Sequence, residues 1–318
     1  MLALHPSYDI TVLLRPTTEL TPFKPLGVSI ATAETEEEVA QVAIDFDVVI
    51  HEASASNVPW IKGLITGLER RARQESEVET RRKPVFMYGG GTGVMEDDCR
   101  GEYESDKTWS DYDYEGLEAL PPSAMHREGD LLTTYAAKRG IIWVYHLSPG
   151  LVYGSGTGPV NQISKQIPAL IDVAIKRKQA VYIGKGLGVW GPVHVQDLAD
   201  AFLFVLHNAL SSHKSPKIKT GWETFHSVEV PSQAENWRTI SEGVGDALFE
   251  FGMVKSEGAV SVPWETDLGT AKDVLSANAR SRADRLAAAG WKPTQRSMME
   301  CLRGDVKQVL DVRYGGTT

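Results

Sequence analysis

Short runs of uninterrupted apolar and β-branched residues alternate with longer amphipathic stretches along most of this chain, and this alternation restricts the fold class. Strands are expected at residues 10–14, 27–31, 47–51 (Asp-Val-Val-Ile-His), 84–88 (Pro-Val-Phe-Met-Tyr), 141–147, 180–183 and 225–230. Helices are expected at 34–43, 58–74, 122–139, 161–178, 195–210, 234–251, 272–289 and 297–310, and residues 1–5 read as the last turn of a helix closed by Pro6. Acids at Glu36, Glu37 and Glu38 suit a helix N-terminus, and Gly140 is a C-terminal stop. A strand that is apolar at every position is covered on both faces. The pattern therefore predicts an α/β fold with a doubly wound parallel sheet.

With 318 residues the chain can bury a full core. A formal charge of −9 argues against nucleic acid or an anionic membrane as partner. Ten acids stand between residues 96 and 118 against Arg100 and Lys107 alone, and the segment reads as a solvated acidic loop. Cys99 and Cys301 lie far apart with no Cys-x-x-Cys or Cys/His spacing, which predicts neither disulfide nor metal site and suits a reducing compartment. No apolar stretch is long enough to span a bilayer, and the N-terminus lacks a signal pattern. These features lead to the expectation of a cytoplasmic protein, monomer or homodimer, acting on a small molecule.

Four motifs fall at strand and helix boundaries: His51-Glu52-Ala53-Ser54, the run Ser148-Pro149-Gly150-Leu151-Val152-Tyr153-Gly154, the run Val193-His194-Val195-Gln196-Asp197-Leu198-Ala199, and residues 278–293 ending in Gly290-Trp291-Lys292-Pro293. In this order they resemble the VIHxAA, RPxxVYG, VHVxDLA and C-terminal elements of the extended short-chain dehydrogenase/reductase (SDR) family, with Ser148 in the usual place of Arg. The resemblance spans nearly the whole chain. It implies a Rossmann-like core over residues 1–157 completed by 177–210, and a smaller C-terminal substrate lobe from 158–176 and 211–318. It also implies a nicotinamide dinucleotide at the carboxyl ends of the strands, contacted by Ala53, Ser54, Gly89, Gly90, Pro149, Leu151 and Val152. Small residues there let backbone approach a ligand closely. Arg15, closing the strand at 10–14, is placed to meet the 2′-phosphate of NADP, with NAD the other cofactor compatible with the fold.

The family's first strand and glycine-rich phosphate loop would precede residue 1, the strand lying between those at 10–14 and 47–51. Gly89–Gly93 is followed by acids, and the glycine clusters at 154–158 and 184–188 read as turns, so weak dinucleotide binding is expected. Either the reading frame starts late, or the chain has abandoned ordinary dinucleotide binding. The resemblance further implies a Ser or Thr after the fifth strand and a Tyr-x-x-x-Lys on the next helix. Gly90 stands at the serine place, with Thr92 two residues on as a substitute. At the tyrosine place stands His126, with Asp130 one turn later to orient it or raise its pKa. The literal Tyr103-x-x-x-Lys107 falls in the acidic segment, where no helix would bring the two together. Two functions remain open: an NAD(P)-dependent oxidoreductase or epimerase-like enzyme for a small carbonyl, hydroxyl or nucleotide-sugar-like substrate, or a non-redox isomerase or cofactor-sensing regulatory protein.

Overall fold

A computed structural model describes residues 8–74, 82–211, 221–269 and 271–315; the helix turn expected at 1–5 lies outside them. The chain opens with β1 (Thr11–Leu14), β2 (Ser29–Thr32), α1 (Glu36–Ala43), β3 (Val48–His51), α2 (Val58–Gln74) and β4 (Val85–Gly89). Then come β5 (Trp109–Ser110), α3 (Tyr114–Glu118), α4 (Arg127–Arg139), β6 (Trp143–Pro149) and β7 (Leu151–Tyr153). Next are α5 (Gln166–Arg177), β8 (Ala180–Ile183), β9 (Val189–Trp190), β10 (Pro192–His194) and α6 (Val195–Ser211). The chain closes with β11 (Phe225–Val228), β12 (Glu235–Asn236), α7 (Trp237–Glu250), β13 (Ala259–Val262), α8 (Ala271–Val274), β14 (Ser281–Arg282), α9 (Asp284–Ala289) and α10 (Met298–Tyr314).

Four strands form the central parallel sheet in the order β11-β6-β4-β3. Helices cover both of its faces. Phe86 and Tyr88 of β4 and Val144 of β6 pack with Ile61, Leu64 and Leu68 of α2 and Ala136 of α4. Met87, Tyr145 and Leu147 point the other way, against Phe202, Val205 and Leu206 of α6. This alternation explains why the strands are apolar throughout: successive residues enter different cores. A third core, around Trp237, Leu170, Ile171 and Leu302, joins α5, α7 and α10.

β1 and β2 make a separate parallel pair, and among the described residues no ladder joins β1 to β3. β3 is accordingly an edge strand. Val48, Val49 and Ile50 are only half-buried, whereas all five residues of β4 are buried.

Three expectations need correction. The helix expected over 122–139 begins at Arg127, because His126 takes the left-handed conformation at φ 64° and caps it instead. The helix expected over 272–289 is broken between α8 and α9, where Asn278 is bound by Asp97 through its backbone N–H (2.9 Å) and its side-chain amide (3.0 Å to Oδ2). Nor is the acidic segment simply solvated. Asp111 is fully buried and accepts hydrogen bonds from the backbone N–H groups of Ser227 and Arg285, so acids of this segment tie the end of the sheet to the C-terminal elements. Burial outweighs these donors and pushes the Asp111 carboxyl up to about 7.

Candidate active site

Strand register lines up a row of rings across the sheet near its carboxyl end. His51 is opposite Tyr88, Tyr88 opposite His146, and His146 opposite Phe225. Ring centroids are 6.1 Å apart for His51–Tyr88, 4.8 Å for Tyr88–His146 and 4.6 Å for His146–Phe225. The polar tips of the first two rings fasten the turn that follows β3. The His51 Nε2 bonds the Ser54 carbonyl at 3.1 Å, and the Tyr88 hydroxyl donates to the Ala55 carbonyl at 3.1 Å. The row therefore places the next residue, Ser56, in the open.

The glycine run after β4 is required by its neighbours. A Cβ on Gly89 would lie 2.0 Å from Glu52 Oε1, one on Gly90 2.2 Å from His146 Nε2, and one on Gly91 3.2 Å from His126 Cδ2. Three ionisable side chains thus pack against three consecutive glycines. Glu52 is exposed at its surface, yet the protein atoms packed around its carboxyl raise it to about 8.

His126 is half-buried, and its Nδ1 lies 3.0 Å from Ser56 Oγ. Burial and the positive charge of Lys165 depress its pKa, so the imidazole is neutral at neutral pH. The Asp130 carboxyl does not reach the His126 ring. Asp130 is 2% exposed, and its carboxylate turns to the sheet, with Oδ1 3.5 Å from His146 Nε2. The i,i+4 pairing expected of these two positions fails because His126 lies outside the helix, and Ser56 is the polar partner of His126 instead.

Thr92 also departs from its expected place. It is 1% exposed and its Oγ1 accepts from Trp190 Nε1 at 2.9 Å, so it is a core residue and does not face an open cleft. Leu151 is fully buried, its side chain among those of α5, α7 and α10. Pro149 and Val152 are half-buried. Ala53, Ser54 and Gly90 reach solvent at the ends of neighbouring strands, while Gly89 is buried. Arg15 is exposed just beyond β1. Tyr103 and Lys107 lie in a segment without helix.

Sequence reading passed over Glu52, Ser56, Tyr88 and His146. For Tyr88 and His146 a signal existed, a polar ring near the carboxyl end of an otherwise apolar strand. Ser56 carried none. Among the described residues no group of three or more His, Cys, Asp or Glu is arranged to hold a metal, and no helix is long and apolar enough to cross a membrane.

A cleft of about 290 Å³ opens between the segments 94–100, 120–124 and 276–277, with Trp264 at its side. Val94, Leu120, Pro121, Ala124 and Trp264 give it apolar walls, and Glu96, Asp97, Asp98 and Arg100 supply its charges. Arg100 is engaged by Asp98 in a bidentate pair at 2.8 and 2.7 Å. Of the segment that leads into His126, Leu120, Pro121 and Ala124 line this cleft.

Comparison with solved structures finds the same architecture over nearly the whole chain. The dTDP-glucose 4,6-dehydratase of Bacillus anthracis, in complex with NAD, is 15% identical, with a TM-score of 0.64 over 99% of this chain and 92% of that one. The fold is that of the extended SDRs. The UDP-glucose 4-epimerase of Thermus thermophilus, also with NAD, gives 16% identity and a TM-score of 0.60 over 94% and 90% of the two chains. In sequence, residues 120–219 match the NAD dependent epimerase/dehydratase family. An oxidase, ucsJ, of an Acremonium species is 24% identical, over 92% of this chain and 87% of its own.

Proposed function

We propose that this SDR-fold chain is a nicotinamide-dependent oxidoreductase or epimerase-like enzyme in which neutral His126 carries the proton that accompanies hydride transfer at a secondary alcohol or carbonyl. The placement of His126 supports this most. It stands beside the side-chain-free Gly91, its Nδ1 held by Ser56, with burial and Lys165 keeping it uncharged. With Nδ1–H donated to Ser56 Oγ, the lone pair stands on Nε2 and can accept a hydroxyl proton; in the reverse direction the imidazolium returns it to the forming alkoxide.

The residues present fit a nicotinamide cofactor. Ala53, Ser54 and Gly90 are small, reach solvent and end neighbouring parallel strands, the position such cofactors take in doubly wound sheets. Exposed Arg15 would meet a 2′-phosphate, which favours NADP over NAD. The bound nicotinamide would take or supply the hydride. Glu52, raised to about 8, is mostly protonated at pH 7, and this lessens its repulsion of a dinucleotide.

The cleft narrows the substrate class. Apolar walls with several carboxylates, and an Arg100 whose charge Asp98 already neutralises, repel a diphosphate. An uncharged carbonyl or hydroxyl compound suits it better than a nucleotide sugar. A non-redox isomerase working through His126 alone is the second reading, favoured by the additional carboxyl of Glu52 beside Gly89 in the same glycine turn.

Fluorescence titration with NADPH and NADH, followed by turnover on uncharged alcohols and ketones, tests the proposal. His126→Gln should leave cofactor affinity nearly intact and abolish turnover. Full activity of that variant refutes the role of His126, and turnover without any cofactor moves the function to the isomerase.

A further inference from the structure

Asp130 and His146 form a buried acid–imidazole pair that the proton chemistry of His126 does not use. They are 2% and 3% exposed, their nearest polar atoms are 3.5 Å apart, and the Tyr88 hydroxyl is the other polar neighbour of the Asp130 carboxyl. Two glycines keep the space clear. A Cβ on Gly90 would strike His146 Nε2, and one on Gly129 would lie 2.4 Å from the Tyr88 hydroxyl, the neighbour of both groups. His126 stands against Gly91 of the same turn, and its backbone carbonyl accepts the Asp130 N–H at 3.2 Å.

We propose that Asp130 is an uncharged positioning residue for His126: its carboxylic acid donates to His146 Nε2, and the pair fixes the first turn of α4 to the Gly90–Gly91 turn beside which His126 stands. An ion pair of the same two residues would place two charges in the core with too few donors and acceptors around them to offset the loss of solvation. The neutral pair needs one shared proton. Groups facing the pair come from three elements and a cap: Tyr88 of β4, Arg127 of α4, His126 just before that helix, and His226 of β11. Tyr88 and Arg127 favour the carboxylate, whereas His226, His126 and Arg127 disfavour an imidazolium. Burial outweighs the first effect and adds to the second, moving Asp130 up to about 8 and His146 down to about 3.

The significance of the pair rests on the reading of His126 as proton carrier, but its protonation is measurable without any substrate. Nitrogen-15 spectra of the histidine rings in the unaltered chain, recorded from pH 5 to 8, should show His146 neutral throughout while His126 titrates. Asp130→Asn, whose amide can still donate to Nε2, should fold and leave the His126 titration where it was. Asp130→Leu should displace the His126 signals or lose the fold. An imidazolium at His146 at neutral pH overturns the proposal. So does a fall of the His126 pKa by a unit or more in Asp130→Asn, because only an ionised Asp130 would have been raising it. Activity retained by His126→Gln would instead defeat the functional reading and leave the pair untouched.

Discussion

Thr92 offers a clear test of how the molecule distributes core and site. Its hydroxyl lies in the core, 1% exposed, accepting from the indole N–H of Trp190, itself 4% exposed. Thr92→Val keeps the shape and removes the acceptor, orphaning a buried donor at a cost of about 1–3 kcal/mol. The same hydroxyl helps to hold down the pKa of Glu229, which burial has raised to about 7, and loss of that interaction adds to the effect. Thr92→Ser makes the opposite change, preserving the hydroxyl and deleting one methyl for about 1 kcal/mol. Packing alone would rank Val above Ser; the hydrogen bond reverses the order. Urea unfolding followed by tryptophan fluorescence measures both, with wild type first, Ser second and Val last. A Val variant as stable as wild type refutes the reasoning. Loss of turnover in Thr92→Val without any loss of stability would return Thr92 to the substrate.

Other consequences follow from the same geometry. Gly90→Ala drives a methyl into a His146 ring wedged between Tyr88 and Phe225 and should cost about 1–3 kcal/mol, while Gly304→Ala, with open space around it in α10, should gain about 0.5–1 kcal/mol; melts shifted equally would contradict this. Stability should fall between pH 6.5 and 8.5. Asp130, raised to about 8, and Asp111 and Glu229, raised to about 7, keep protons in the folded chain that the unfolded chain releases above about pH 4, so their contribution is lost as pH rises through the folded pKa values. His146 and His226, lowered to about 3 and about 4, oppose that trend only below about pH 6.5, where the unfolded histidines take up protons. A melting temperature that is flat or rising across the upper window contradicts the buried carboxyls. Arg15→Ala should weaken NADPH about ten- to a hundredfold more than NADH in parallel titrations, and equal losses would show that Arg15 meets no phosphate.

The central strands were legible because each sends alternate residues into two cores, which makes them apolar throughout. Segments whose structure depends on distant partners were not. Residues 272–289 have helical composition, yet Asp97, 181 positions away, binds the Asn278 backbone N–H and takes the chain out of the helix. Asp111 looks like any other acid of its segment, and only the folded chain brings it to Ser227 and Arg285. β5 and β14 are two residues each and exist only by pairing with one another. Around His126, the partner of the ring was not legible, since Ser56 is 70 residues away in a turn fastened by rings from two strands.

Spacing alone would have put His126 and Asp130 on one helical face, and the consequence for acid–base chemistry would have been the reverse of what the structure implies. A carboxylate against the imidazole stabilises the imidazolium and raises its pKa, which would leave His126 protonated and unable to accept a proton at neutral pH. The left-handed backbone at His126 holds the start of the helix back to Arg127 and leaves its ring beside Ser56, while the helical geometry from Arg127 onward carries Asp130 to the sheet. Ser56 can fix a tautomer without adding charge. Burial then holds Asp130 protonated, so even its distant field on His126 is small. One backbone torsion thereby separates an acid and a base four residues apart, leaving His126 neutral beside the glycine turn and Asp130 neutral behind it.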